Sequence, residues 1–231
     1  LGKSIDLADI EAARTLIAPT IHRTRTERSA SLSDKMGVPV HLKLEHHQRT
    51  GSFKLRGATN AVLNLTDAQR AQGVVGVSTG NHGRGLAYAA RQNGVRCIIC
   101  MSELVPQNKI DGIKAQGAEV RIVGRSQDDA QVEVDQLVSD GMTMIPPFDH
   151  PNIIAGQGTI GLELAEDLLY LTTALVQMSG GGLIAGVAAA LKARLPNIKV
   201  VGVSMERGAA MYQCQKAGKP MIVPELATLA D

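Results

Sequence analysis

Three short segments place a reactive or anion-binding group where a helix is expected to begin. The first is Thr50-Gly51-Ser52-Phe53-Lys54-Leu55-Arg56-Gly57-Ala58. A lysine that opens a helix behind a Gly-Ser turn sits where the helix dipole repels cations. That repulsion disfavours the ammonium, lowers the amine's pKa and leaves more free base for Schiff-base chemistry. Taken alone, Lys54 reads more readily as a surface lysine in a loop.

The second segment is Ser78-Thr79-Gly80-Asn81-His82-Gly83, between an expected strand and an expected helix. In α/β folds the carboxyl end of a strand followed by a helix N-terminus is where ligands collect. Backbone N–H groups there bind carboxylate or phosphate. Asn81 suits a ring hydroxyl, and the hydroxyls of Ser78 and Thr79 suit a substrate carboxylate. A capping turn is the competing reading, and His82 by itself is better explained by capping or packing than by catalysis. The third segment is Ser179-Gly180-Gly181-Gly182-Leu183. Consecutive glycines let the backbone curl and aim several N–H groups at one anion. No G-K-[ST] follows, so a compact phosphate monoester fits better than a nucleoside triphosphate. A glycine turn needed only for packing is the alternative.

A fourth segment imitates a known fingerprint. Gly156-Gln157-Gly158-Thr159-Ile160-Gly161 matches G-x-G-x-x-G letter for letter. Dinucleotide binding needs a strand just before that pattern and an acidic residue about 20 positions on. Here Pro151 and Asn152 precede it, a helix is expected through it, and Gln177 stands where the acid belongs. Nicotinamide binding is therefore not expected.

The elements that must position these groups alternate in kind. Strands are expected at 73–78, 95–101, 118–123, 142–145, 174–178 and 198–204. Helices are expected at 82–93, 106–116, 126–139, 152–169 and 183–194, with Gly94 and Gly117 as stops, Pro106 opening and Ser126 capping. Such alternation implies an α/β fold with a parallel sheet covered on both faces. Residues 1–50 differ: a helix at 7–17, a Thr/Arg-rich connection at 20–28 and a strand at 40–45. Pro146 and Pro147 mark a break between α/β units.

Composition removes other classes. The 231 residues carry 24 Lys and Arg against 22 Asp and Glu, a formal charge of +2, with three Tyr, two Phe and no Trp. Without a basic block or a stacking platform, nucleic-acid binding has little support. No apolar run approaches the ~20 residues of a bilayer span, and residues 1–11 lack a signal-peptide pattern. No membrane partner is expected, and the expected address is cytoplasmic. Cys97 and Cys100 form C-x-x-C on an expected strand, where i and i+3 face opposite sides, so they are expected to be buried structural thiols.

The ordered set S-F-K-x-R-G-A, S-x-G-N-H-G and S-G-G-G-L resembles the threonine dehydratase and serine racemase family of fold type II pyridoxal-phosphate enzymes. The resemblance runs from the N-terminal helix to the strand at 198–204 and takes in the G-Q-G-T segment from Gly156 to Glu163. It implies pyridoxal 5′-phosphate carried on Lys54, which would also shuttle the substrate's α-proton. Phe53 would pack beside the ring and Asn81 would bond its 3′-oxygen. Gly180, Gly181, Gly182 and Leu183 would hold the phosphate. Ser78, Thr79, Gly80 and His82 would line the substrate carboxylate site. It further implies a large domain of residues 1–64 and 148–231, a small inserted α/β domain at 65–147, and a homodimer. The activity it implies is dehydration and deamination of a small hydroxy-amino acid, of the L-threonine or L-serine type, to a 2-oxo acid and ammonia.

This sequence departs from the family pattern in places. Thr79 replaces the serine of racemases and the alanine common in dehydratases, which weakens racemisation. Ser204 and Ala210 fall where many relatives carry metal-binding acids, so no metal is expected. The family continues past the point matching Asp231, through a group that contacts the pyridine nitrogen, so a longer protein is expected. Ser204-Met205-Glu206-Arg207-Gly208-Ala209-Ala210-Met211 resembles a hydroxyectoine-utilisation dehydratase branch, whose substrate would be a hydroxylated diamino-acid derivative. Within enzymes the rivals are racemisation and β-replacement, the latter disfavoured by His82 where threonine is usual. A catalytically silent amino-acid-binding relative is the rival of a different class, and an intact Lys54 argues against it.

Overall fold

The strand-helix alternation and the residues that punctuate it produce the architecture in the computed structural model, which describes residues 4–78, 80–206, 209–221 and 223. Thr79, Arg207, Gly208 and Asp231, singled out above, lie outside the described residues. Asp6 caps α1 (Leu7–Ile17) in a reciprocal box with Asp9. Strand β1 (Thr26–Arg28), helix α2 (Ala30–Met36) and strand β2 (His41–Lys43) follow. β1 and β2 pair antiparallel, where the sequence suggested a plain connection and one strand. Both are three residues long, too short for a period to show.

Helix α3 (Lys54–Leu63) and α4 (Asp67–Gln72) lead into strand β3 (Val74–Val77), α5 (Asn81–Gln92), β4 (Cys97–Met101), α6 (Gln107–Lys114), β5 (Glu119–Ile122), α7 (Gln127–Ser139) and β6 (Thr143–Met144). These strands form one parallel sheet in the order β5-β4-β3-β6. Its side chains alternate between two cores. Val74, Cys97, Ile99 and Met101 pack with Leu55, Leu86 and Ile113. Val75, Val77, Ile98 and Cys100 pack with Ala130, Val134 and Leu137 of α7. The two cysteines thus lie on opposite faces, both buried, and burial pushes Cys97 up to about 12 and Cys100 up to about 11.

After the prolines come α8 (Pro151–Asp167), β7 (Thr173–Gln177), α9 (Gly182–Arg194), β8 (Lys199–Val203) and α10 (Ala210–Ala217). β7 and β8 are parallel partners. One face of the pair packs Ala174 and Val176 on Ile160, Val187 and Leu191. The expected cover on both faces holds for the four-stranded sheet. Among the described residues it does not hold here, where Leu175 and Val203 are exposed.

One buried guanidinium ties α3 to the rest. Arg56 is fully buried. It donates to Glu163 on α8 at 2.6 and 3.0 Å. It also donates to Glu45 at 2.7 and 2.9 Å and to Thr159 Oγ1 at 3.0 Å. Lys43, itself buried, reaches the same Glu163 at 2.7 Å. A buried charge is tolerated only when paired in this way. Glu163→Gln leaves two buried cations without a shared counter-ion, and a loss of about 3–5 kcal/mol is expected. Urea unfolding of the two proteins measures it; an unchanged midpoint contradicts the pairing argument.

Candidate active site

The chain from Thr50 to Lys54 must turn sharply before α3 can begin. Gly51 takes φ +75, and Ser52 Oγ accepts from the Lys54 amide at 3.2 Å. Lys54 is the first residue of α3, as its sequence context suggests. Its amine donates to the carbonyl oxygen of Pro147 at 2.6 Å and lies 5.5 Å from the centre of the Phe53 ring. Burial lowers the amine to about 8. The direction agrees with the sequence argument, but its cause is lost hydration rather than the helix dipole.

Helix α5 starts at Asn81 with Gly80 as its N-cap and no cap from the Gly80 position itself. Ser78 supplies the cap from two residues earlier: its Oγ accepts from the Gly83 amide at 2.8 Å and the Gly80 amide at 3.3 Å. Ser78 is therefore buried behind the loop, and the amides of Asn81 and His82 remain at the helix mouth. The His82 ring lies inward, with Nε2 2.9 Å from the Ile145 carbonyl oxygen and Nδ1 without a hydrogen-bond partner. Burial, and secondarily the charge of Lys54, lower the imidazole to about 4. The ring is neutral. Because a carbonyl only accepts, Nε2 carries the proton and Nδ1 is a bare acceptor.

Helix α9 begins without a side-chain cap. Gly181 has φ +88, which lets the turn into α9 curl back on itself. A side chain at Gly180 or Gly182 would strike Phe148: a Cβ would fall 2.4 Å from its ring in the first case and 2.5 Å from its carbonyl oxygen in the second. The glycines thus serve both loop shape and close approach.

These three helix starts converge on one cavity of about 600 Å³, within the usual size of a small-molecule site. Phe53, Lys54, Gly80, Asn81 and His82 line one part of it, and Gly180, Gly181, Gly182 and Leu183 another. The structure therefore gathers every described residue that was assigned a site role, except Ser78. It adds residues that local sequence did not reveal: Arg84, Lys109, Phe148, Gln157 and Gln177. Arg84 was within reach, being one helical turn beyond Asn81 on α5. Lys109 comes from α6, whose approach no local pattern signals. The imitation fingerprint lies inside α8, as expected, and there the Gln157 side chain accepts from the Gly57 amide at 3.2 Å.

Comparison with known proteins identifies the family. The family described as pyridoxal-phosphate dependent enzyme matches residues 17–231. A putative threonine dehydratase of Sinorhizobium fredii is 56% identical over 229 residues, 99% of this chain and 69% of the relative. The catabolic L-threonine dehydratase of Staphylococcus aureus is 42% identical over 211 residues, 90% of this chain but only 61% of the relative. The structure of maize serine racemase superposes with a TM-score of 0.95 at 34% identity, covering 99% of this chain and 70% of that one. The chain belongs to the pyridoxal-phosphate dependent enzyme family.

Proposed function

We propose that this chain is the catalytic core of a lyase that converts a small hydroxy-amino acid, of the L-threonine or L-serine type, to a 2-oxo acid and ammonia. The observation that carries the reading is the Lys54 amine, half-buried and lowered by that burial to about 8, set in one cavity with the mouths of α5 and α9. The residues present fit pyridoxal phosphate. The uncapped start of α9, with its left-handed Gly181, suits the phosphate. The cavity is large enough for ring and substrate together, and the aldehyde's partner is a lysine that gives up its proton near neutrality. The cofactor, when bound, supplies the electron sink that makes a Cα proton removable.

The chain's own residues have separable tasks in this reading. Lys54 holds the cofactor and then takes the α-proton. Phe53 packs beside the ring and Asn81 bonds its 3′-oxygen. Gly180, Gly181, Gly182 and Leu183 hold the phosphate. The Asn81 and His82 amides, with Gly80 and Thr79, receive the substrate carboxylate, while Ser78, expected there from the sequence, holds the turn from behind. The neutral His82 ring holds the loop by donating to Ile145, and its neutrality adds no further positive charge beside Lys54. We further propose that residues 65–147 form a small unit inserted in a larger one of 1–64 and 148–231. Closure of the two excludes water during proton transfer. A homodimer in the cytoplasm completes the proposal; among the described residues no helix is long and apolar enough to cross a membrane. Maize serine racemase, as a close structural relative, favours racemisation as the second reading. Both reactions begin with loss of the α-proton, and they part at the product.

Two outcomes follow. In cofactor-free protein, acetylation of Lys54 followed against pH by mass spectrometry has its midpoint near 8, whereas exposed lysines titrate near about 10.4. The folded amine thus releases its proton before the unfolded one, so its contribution to stability grows as pH rises from about 8 towards 10.4. A midpoint above 10 removes the burial argument. In cofactor-loaded full-length protein, L-threonine or L-serine yields 2-oxo acid, and Lys54→Ala lowers the rate by about 10³-fold or more. Accumulation of the D-amino acid without oxo acid selects the racemase; no product at all sinks both.

A further inference from the structure

The turn from Ser179 to Leu183 holds three consecutive glycines, the residue with the most backbone freedom to lose. A turn that must order itself around an anion binds it weakly, because the ordering opposes the binding. Helix α9 has no side-chain cap, so no cap fixes the turn from its own residues. Its path has to be held from outside.

Phe148 is in the place to hold it. A Cβ added at Gly180 would fall 2.4 Å from both Cγ and Cδ1 of the Phe148 ring and 2.6 Å from Cε1. The ring therefore fills the space that a side chain would take. At Gly182 an added Cβ would fall 2.5 Å from the Phe148 carbonyl oxygen and 3.0 Å from its Cα. Ring and backbone thus press on two of the three glycines. Met211 of α10 meets the third, Gly181, with the end of a flexible thioether, where an added Cβ would lie 3.0 Å from Cε.

Phe148 is itself anchored. Two prolines precede it, each with φ fixed by its ring. The Ile145 carbonyl accepts from His82 at 2.9 Å, and the Pro147 carbonyl accepts from Lys54 at 2.6 Å. The four residues from Ile145 to Phe148 therefore touch the first turn of α5, the first residue of α3 and the turn into α9. Core packing does not explain the ring. Phe148 is 40% exposed and belongs to none of the buried clusters formed by the described residues. The chain has only two phenylalanines, and both line this cavity.

We propose that Phe148 is a positioning residue for the phosphate: it templates the turn at 179–183, so that the amides at the start of α9 face the cavity before a ligand arrives. The inference rests on the reading of that turn as the phosphate site of pyridoxal phosphate, and it assigns the turn's selectivity for phosphate to a side chain outside the turn.

Equilibrium dialysis of full-length, cofactor-free protein tests this, with pyridoxal 5′-phosphate and pyridoxal as the two probes. Both offer the same aldehyde to Lys54, and only the first carries the phosphate. Wild type is expected to hold the phosphorylated probe more tightly. In Phe148→Ala that preference falls by about 10–100-fold with pyridoxal affinity unchanged, the scale seen when a residue supporting a ligand-binding group is removed. Phe148→Tyr keeps the ring and restores the preference. Gly180 is not left-handed, so Gly180→Ala acts through its methyl alone. It lowers the preference when the ring is present and adds no further loss to Phe148→Ala, a non-additivity that reports their contact. A preference that survives in Phe148→Ala overturns the proposal. So does an equal loss for both probes, which makes Phe148 a support of the whole site rather than of the phosphate turn. Wild type without any preference removes the phosphate site and the proposal together. If the pattern holds but no substrate yields 2-oxo acid, the lyase reading fails and the inference stands.

Discussion

A fully buried guanidinium two residues after the reactive lysine is the constraint on which the site depends. Arg56 is gripped by Glu45 on one side and Glu163 on the other, and neither grip can slip without stranding a charge away from water. Rotation of α3 about its axis would break both pairs, and Lys54, at the first turn of α3, would swing with it. The network continues outward through Lys43 to Asp167, and from there to Arg23, Glu166 and Arg14. Its outer members are partly exposed and weakly held by comparison. Direction is transmitted by the inner members alone.

Backbone proximity is the second half of that constraint. The glycines of the imitation fingerprint work as contact points between helices. A Cβ at Gly156 would fall 2.6 Å from the Gly57 Cα, and one at Gly161 would fall 2.7 Å from the Val187 carbonyl oxygen. Helix α8 therefore lies backbone to backbone with α3 on one side and α9 on the other. Those two helices carry the lysine and the phosphate-type loop, so the spacing of lysine and loop is set by glycines that touch neither ligand. This explains how a dinucleotide-like letter pattern arises without a dinucleotide: close helix packing and close approach to a pyrophosphate both require a missing side chain.

Much of this was legible in advance, for definite reasons. β3, β4, α5 and α9 came from period and punctuation, which are local properties of the chain. The opposite facing of Cys97 and Cys100 followed from strand geometry alone. The short strands β1 and β2 and helix α2 did not, because three to seven residues carry no measurable period. The Arg56 pairs span 11 and 107 positions of sequence, and only folding shows that Glu45 and Glu163 meet at one cation. The lowered amine of Lys54 shows a right direction with a wrong cause. The helix start was visible, but the burial that lowers the pKa belongs to Pro147 and the cavity walls, which are far away in the chain.

The electrostatics of the cavity then have a simple logic. Helix starts offer partial positive charge without a proton of their own to lose, so their side of anion binding does not titrate. Lys54 is the opposite kind of group: its usefulness is that its charge can be removed. If the neighbouring imidazole were also protonated, the two cations would compete, and the amine would be neutral at the cost of a charged ring. Burial of His82 against Ile145 removes that competition by keeping the ring neutral. Within reach of the amine, binding falls to fixed dipoles and proton transfer to the titratable group.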